Sequence, residues 1–137
     1  MTTFSRMARL KRVYLSGHVK EIEYRRYAQE KYGRSYCLVN PIEIHNDGDQ
    51  RLFPDDFIVE DDKTLIDLCD YMVVYINKPT FGTLMEIMYA FIKGKPIIVV
   101  NPSGEYFDDI WLKYHATEMF QTIDDAFKYI VHLSTAI

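Results

Sequence analysis

Cysteine is scarce in this chain: two residues, Cys37 and Cys69, lie outside any CxxC or Cys–His ligand spacing. Such a pair supports neither a disulfide framework nor a structural zinc site. Both thiols fall in apolar runs, which predicts buried, reduced side chains. No run approaches the roughly 20 apolar residues of a membrane span. Arg6, Arg9, Lys11 and Arg12 are followed by no apolar signal core, so residues 1–11 are expected to form a flexible leader, not a secretory signal. Positive charge is also in short supply, with a formal net charge of −4. That disfavours a nucleic-acid polymer as partner, because such proteins need a basic footprint against phosphates. No GxGxxG and no Gly-Lys-Ser/Thr motif occurs. His18, His45, His115 and His132 lack metal-ligand spacing, and no Ser-His-Asp order emerges. No metal and no cofactor is implied, and a cytoplasmic setting is expected.

What the chain does have is core-forming material. Of its 137 residues, 48% are hydrophobic and 26% charged, which predicts one soluble domain over residues 1–137. Short apolar runs alternate with longer periodic stretches. Strands are expected at Arg12–Ser16, Tyr36–Val39, Tyr71–Ile76 and Pro96–Val100, with a short edge strand at Met119–Phe120. Helices are expected at Val19–Tyr32, Ile58–Cys69, Thr83–Lys93, Asp108–Glu118 and Ile123–Leu133. Ile42 to Asp56 contains Asn46, Asp47, Gly48, Asp49 and Pro54 and reads as a long loop. Strands alternating with helices predict an α/β domain, a flavodoxin-like or Rossmann-like doubly wound parallel sheet of about five strands. Ligands in such sheets bind beyond the carboxyl ends of the strands.

Several chemistry-bearing residues fall at that edge. Glu86 lies in the first turn of the helix after Gly82. Thr83 to Glu86 also matches a capping box, in which the glutamate only bonds back to the Thr83 amide. Asp62 precedes Leu65, Ile66 and Cys69 by three, four and seven residues, which puts a carboxylate on the apolar stripe of its helix. A carboxylate aimed at a core or cleft usually has a function or a dedicated partner. Its neighbours Glu60 and Asp61 read as complements of the helix dipole. Gly17, His18, Lys20, Thr80 and Gly82 sit at turns after the first and third strands. Such turns offer backbone amides to a phosphate, with Lys20 as a point charge, although Lys20 also fits an ordinary surface lysine. The chain is rich in aromatics, with 11 Tyr, 8 Phe and 1 Trp. Tyr14 and Phe81 fall at ligand-facing turns, where stacking on a flat base is expected.

The combination of Val13-Tyr14-Leu15-Ser16-Gly17, Asp62, Asp70-Tyr71-Met72-Val73-Val74 and Lys78-Pro79-Thr80-Phe81-Gly82-Thr83 with Glu86 resembles the nucleoside 2-deoxyribosyltransferases. It resembles equally their relatives, the (deoxy)nucleoside 5′-monophosphate N-glycosidases. The likeness runs roughly from Val13 to Pro102, and its specific block is Asp62 to Glu86. It implies cleavage of the bond between a nucleobase and a (deoxy)ribose. Glu86 matches the family nucleophile, Asp62 the acid/base carboxylate and Tyr14 the tyrosine that positions the nucleophile. Thr80 stands where some relatives carry aspartate and resembles the serine of the nucleotide hydrolases, while Lys20 falls where those carry a basic phosphate ligand. The resemblance therefore implies a small-molecule nucleoside or nucleotide substrate and a homodimer or higher homo-oligomer. A non-catalytic nucleotide-binding module and an NAD-cleaving N-glycosidase are the competing readings.

Overall fold

Each central strand is buried on both faces, as expected of a parallel sheet covered by helices. The structure, a computed structural model, describes residues 10–45 and 53–135. Within them the chain runs β1 (Arg12–Gly17), α1 (Ile22–Tyr32), β2 (Cys37–Val39), α2 (Pro41–Ile44), α3 (Asp55–Leu68), β3 (Tyr71–Tyr75), α4 (Phe81–Ile92), β4 (Ile97–Val100), α5 (Ile110–His115), β5 (Glu118–Phe120) and α6 (Ile123–Thr135). The five strands are parallel in the order β2-β1-β3-β4-β5, the flavodoxin-like arrangement.

Strand periodicity sorts the core into two layers. Val13, Leu15, Val73, Ile98 and Val100 face one side and pack against Tyr24 and Ala28 of α1 and Phe127 and Ile130 of α6. Tyr14, Met72, Val74, Ile97 and Val99 face the other and pack against Ile66 of α3, Ile87 and Ala90 of α4 and Leu112 of α5. Tyr14 and Ser16, two residues apart on β1, therefore share the face that α3 and α4 cover.

Several boundaries differ from the sequence reading for identifiable reasons. The expected loop holds the short helix α2, started by Asn40, whose side chain accepts from the Ile42 amide. The rest of that loop, residues 46–52, and residues 1–9 of the expected leader lie outside the described residues. Helix α3 starts earlier than expected because Pro54 caps it, so Asp55 and Asp56 occupy the first turn. Those two, and not Glu60 and Asp61, are placed to complement the helix dipole. Cys69 is buried as expected, but Cys37 is exposed. It opens a three-residue strand at the sheet edge, where one side of the pleat lacks cover.

Candidate active site

The strand order reverses between β1 and β3, and the crevice opened there is where doubly wound sheets hold ligands. A cleft of about 210 Å³ lies at this point, lined by Gly17, His18, Arg25, Asp62, Thr80, Gly82, Thr83 and Glu86 among others. A second cavity of about 140 Å³ adjoins it and shares Asp62, Gly82 and Glu86. Together they reach the lower end of the range for small-ligand sites, which begins at roughly 300 Å³. A larger groove of about 440 Å³, lined by Leu84, Met88, Trp111 and Leu112 among others, lacks the carboxylate pair.

Glu86 is held from across the sheet. Tyr14 Oη donates to its Oε2 at 2.5 Å and Ser16 Oγ donates to its Oε1 at 2.7 Å. The capping-box alternative fails on geometry. Helix α4 starts at Phe81 with Thr80 as its N-cap, and the Thr83 hydroxyl pairs with that of Thr80 at 2.8 Å. Burial raises the Glu86 carboxyl above the usual carboxylate range, and the bonds from Tyr14 and Ser16 and the charge of Arg25 offset only part of that rise. Tyr14 is fully buried, so its ring cannot stack on a ligand as the sequence suggested. Its hydroxyl proton is held tightly by burial and by the Glu86 charge beside it.

Asp62 reaches the same cleft from α3. Its pKa is raised from 3.8 to about 7, first by burial and then by the Glu86 charge, with His45 opposing. Its Oδ1 is buried without a hydrogen-bond partner. This is an acid kept partly protonated at neutral pH beside a carboxylate stabilised by two donors, the asymmetry that acid–nucleophile pairs require.

The turn after β1 holds the expected Gly17 and His18 and is fixed by Tyr24 and Arg25, for which the sequence predicts no role. Gly17 has a φ of 142°, and a Cβ there would come within 2.8 Å of the Tyr75 carbonyl oxygen, so glycine is required. Buried Arg25 donates from Nη1 to the His18 and Glu21 carbonyls, both at 2.9 Å, and from Nη2 to the Gly17 carbonyl at 3.1 Å. It thereby clamps the loop and brings a cation near Glu86. Tyr24 fixes the strand end, donating to the Ser16 carbonyl at 2.6 Å. Tyr24 and Arg25 had no local signal, whereas Ser16 did: it lies two residues from Tyr14 in a strand, hence on the same face.

The remaining expected site residues divide. Gly17, His18, Thr80 and Gly82 line the cleft with Asp62 and Glu86. Lys20 is exposed and does not line it, although its backbone amide donates to His18 Nδ1 at 3.0 Å. Phe81 is 85% exposed at the start of α4 and lies outside the lining. Among the described residues there is no His/Cys/Asp/Glu group able to hold a metal ion, and no helix is long and apolar enough to cross a membrane.

These features define an α/β flavodoxin-like domain with a carboxylate pair at the strand-end crevice, and solved structures share that fold. No family model matches the chain, and no curated protein matches it. A 2-deoxyribosyltransferase from Bacillus psychrosaccharolyticus is similar with a TM-score of 0.68 at 19% identity, over 83% of this chain and 88% of that one. A 2-deoxyribosyltransferase from Leishmania mexicana gives 0.65 at 20% identity, over 93% and 99%. A CMP N-glycosidase from Clostridium botulinum gives 0.58 at 22% identity, over 90% and 98%. The fold is therefore the one found in 2-deoxyribosyltransferase structures.

Proposed function

We propose that this chain is a member of the nucleoside 2-deoxyribosyltransferase and nucleotide N-glycosidase family and cleaves the N-glycosidic bond of a (deoxy)nucleoside or its 5′-monophosphate. The observation that carries the reading is Glu86, oriented by Tyr14 and Ser16 in a cleft that also holds Asp62. The names of the similar structures support it, since they describe enzymes that transfer or cleave deoxyribosyl or nucleotide bonds.

Breaking this bond builds positive charge on the sugar and negative charge on the departing base. An ionised Glu86 stabilises the first and attacks the anomeric carbon to form a glycosyl ester, as in retaining glycosidases. A protonated Asp62 gives its proton to the base nitrogen. Water or a second base then attacks the anomeric carbon, releases Glu86 and returns one proton to Asp62. Gly17, His18, Thr80 and Gly82 border the sugar and phosphate end. No cofactor is needed. Lys20, exposed beside His18, is in a position to swing toward a 5′-phosphate. The two free cysteines suit a reducing compartment such as the cytoplasm.

Homo-oligomer formation belongs to the same reading. Met85 lines the second cavity, and Phe81, Met85 and Ile92 of α4 and Ile110 and Trp111 of α5 are exposed apolar side chains. Exposed apolar surface of this kind suits an interaction site, and Met85 beside the cleft makes a second copy of the chain the fitting occupant.

The test is base release over a panel of nucleosides and their 5′-monophosphates, with and without a second free base. Release from none of them, by protein shown to be folded, would refute the reading in favour of a binding module.

A further inference from the structure

His45 lacks metal-ligand spacing in the sequence. In the structure its ring is only 5% exposed and lies between two consecutive carboxylates of α3. Its Nε2 is 2.7 Å from Asp61 Oδ2, and its Nδ1 is 3.5 Å from Asp62 Oδ1. That Oδ1 is the buried oxygen with no hydrogen-bond partner. Phe53 and Phe57, stacked on one another, meet the imidazole edge-on and wall it from water. The side chain of Asp61 is 33% exposed and that of Asp62 20%, so the ring joins a solvent-facing carboxylate to the one in the cleft.

We infer that His45 is a positioning residue that shares the acid proton with Asp62, its ring fixed by Asp61. The inference deepens the proposed glycosidic cleavage and rests on it. A neutral imidazole bonded through Nε2–H to the Asp61 carboxylate leaves Nδ1 free to accept. The shared proton then resides on Asp62 Oδ1 with the ring neutral, or on Nδ1 with the ring cationic and Asp62 ionised. Both states hold the same number of protons, so the exchange needs no other reactant. When the base leaves, Asp62 surrenders the proton to its nitrogen, which leaves a carboxylate beside a neutral ring. The attacking water, or the N–H of an incoming base, restores it. The charged groups facing the array are Asp61 and Asp62 of α3 and Glu86 of α4. The arrangement repeats the logic by which a carboxylate orients a histidine whose other nitrogen works.

Two measurements separate this inference from the proposed activity. The first needs no substrate: the pH dependence of the His45 ring ¹⁵N shifts in wild type and Asp62→Asn. A changed course at Nδ1 is expected, with folding unchanged by circular dichroism. Superimposable curves would overturn the shared proton whether or not the protein cleaves anything. The second is turnover of His45→Gln and His45→Ala on poor and activated leaving bases. General acid catalysis contributes about 10²–10⁴-fold, so removing the ring should cost roughly tenfold or more on poor leaving bases and much less on activated ones. Added imidazole should restore part of the loss in His45→Ala. Equal losses on both kinds of base, with no imidazole rescue, would reduce His45 to a packing role.

Discussion

Replacing Asp62 by Asn should stabilise the folded protein at neutral and alkaline pH even as it impairs the chemistry. The carboxyl is raised from 3.8 to about 7, chiefly by burial. An acid whose folded value lies above its unfolded one keeps its proton longer when folded. Stability therefore falls as pH rises from about 4 to about 7 and levels off beyond, where both states are ionised. A rise of that size penalises the ionised form by at most about 4 kcal/mol. With a fifth of the side chain open to solvent, roughly 2–3 kcal/mol is the expected net value. Asn keeps the shape and cannot ionise, so the variant escapes the penalty.

The assay is urea unfolding of both proteins at pH values from 4 to 9. Their stability difference should grow in favour of Asp62→Asn between pH 4 and 7, then stay constant. At urea m-values of about 1–3 kcal/mol/M, the change amounts to about 1 M or more in the midpoint. Hydrogen bonds gained or lost by the amide add a constant offset and leave the slope untouched. A difference that does not vary with pH would refute the claim that Asp62 is a desolvated acid, and with it the acid role.

Glu86→Gln should leave the fold intact, because the amide can still pair with Tyr14 and Ser16, yet lower base release by several orders of magnitude; near-normal release would eliminate the nucleophile assignment. Tyr14→Phe removes one donor from a carboxylate, a bond worth about 1.5–3 kcal/mol, so turnover should drop about tenfold to a hundredfold and the acid limb of the pH–rate profile should move to higher pH; an unmoved limb would show that Tyr14 does not tune Glu86. Lys20→Ala should depress use of 5′-monophosphates far more than use of nucleosides, and equal effects on both would show that Lys20 does not contact phosphate. Asp62→Asn should slow release of poor leaving bases more than activated ones, and an unchanged rate ratio would mean that Asp62 is not the proton donor.

The fold was legible because it depends on local periodicity: buried β-prone runs alternate with helical stripes, and only a parallel sheet accommodates that order. That Glu86 and Asp62 share one cleft was legible in part: Asp62 interrupts the apolar stripe of its helix, and Glu86 falls in the first turn after a strand end. The start of α4 misled because Gly82 resembles a turn and Thr83 a cap, whereas Thr80, extended after Pro79, occupies the N-cap three residues earlier. Tyr14 was misjudged because a strand-end tyrosine looks ligand-facing until α3 and α4 are seen to cover its face. Arg25 and His45 left no local trace. Arg25 gathers carbonyls of residues 17, 18 and 21 once the turn has formed, and His45 meets Asp61 across 16 residues of sequence. Such contacts belong to tertiary structure, which spacing along the chain does not encode.

Burial alone raises every carboxyl it touches, so it does not by itself distinguish Glu86 from Asp62. The difference lies in what each oxygen meets. Both Glu86 oxygens accept hydroxyl protons from β1, and the Arg25 cation adds to the pull toward the ionised form. Asp62 Oδ1 meets no such donor and feels the Glu86 charge as repulsion. Burial raises both carboxyls, but hydroxyl donors and a cation oppose the rise at Glu86, whereas the Glu86 charge adds to it at Asp62. The sequence device behind this is small: a Tyr and a Ser two residues apart on one strand, facing a Glu on the helix above. Moving either hydroxyl by one position along β1 would turn it to the opposite face of the sheet. Glu86 would then retain its burial penalty with only one donor left, and the difference between the two carboxyls would narrow.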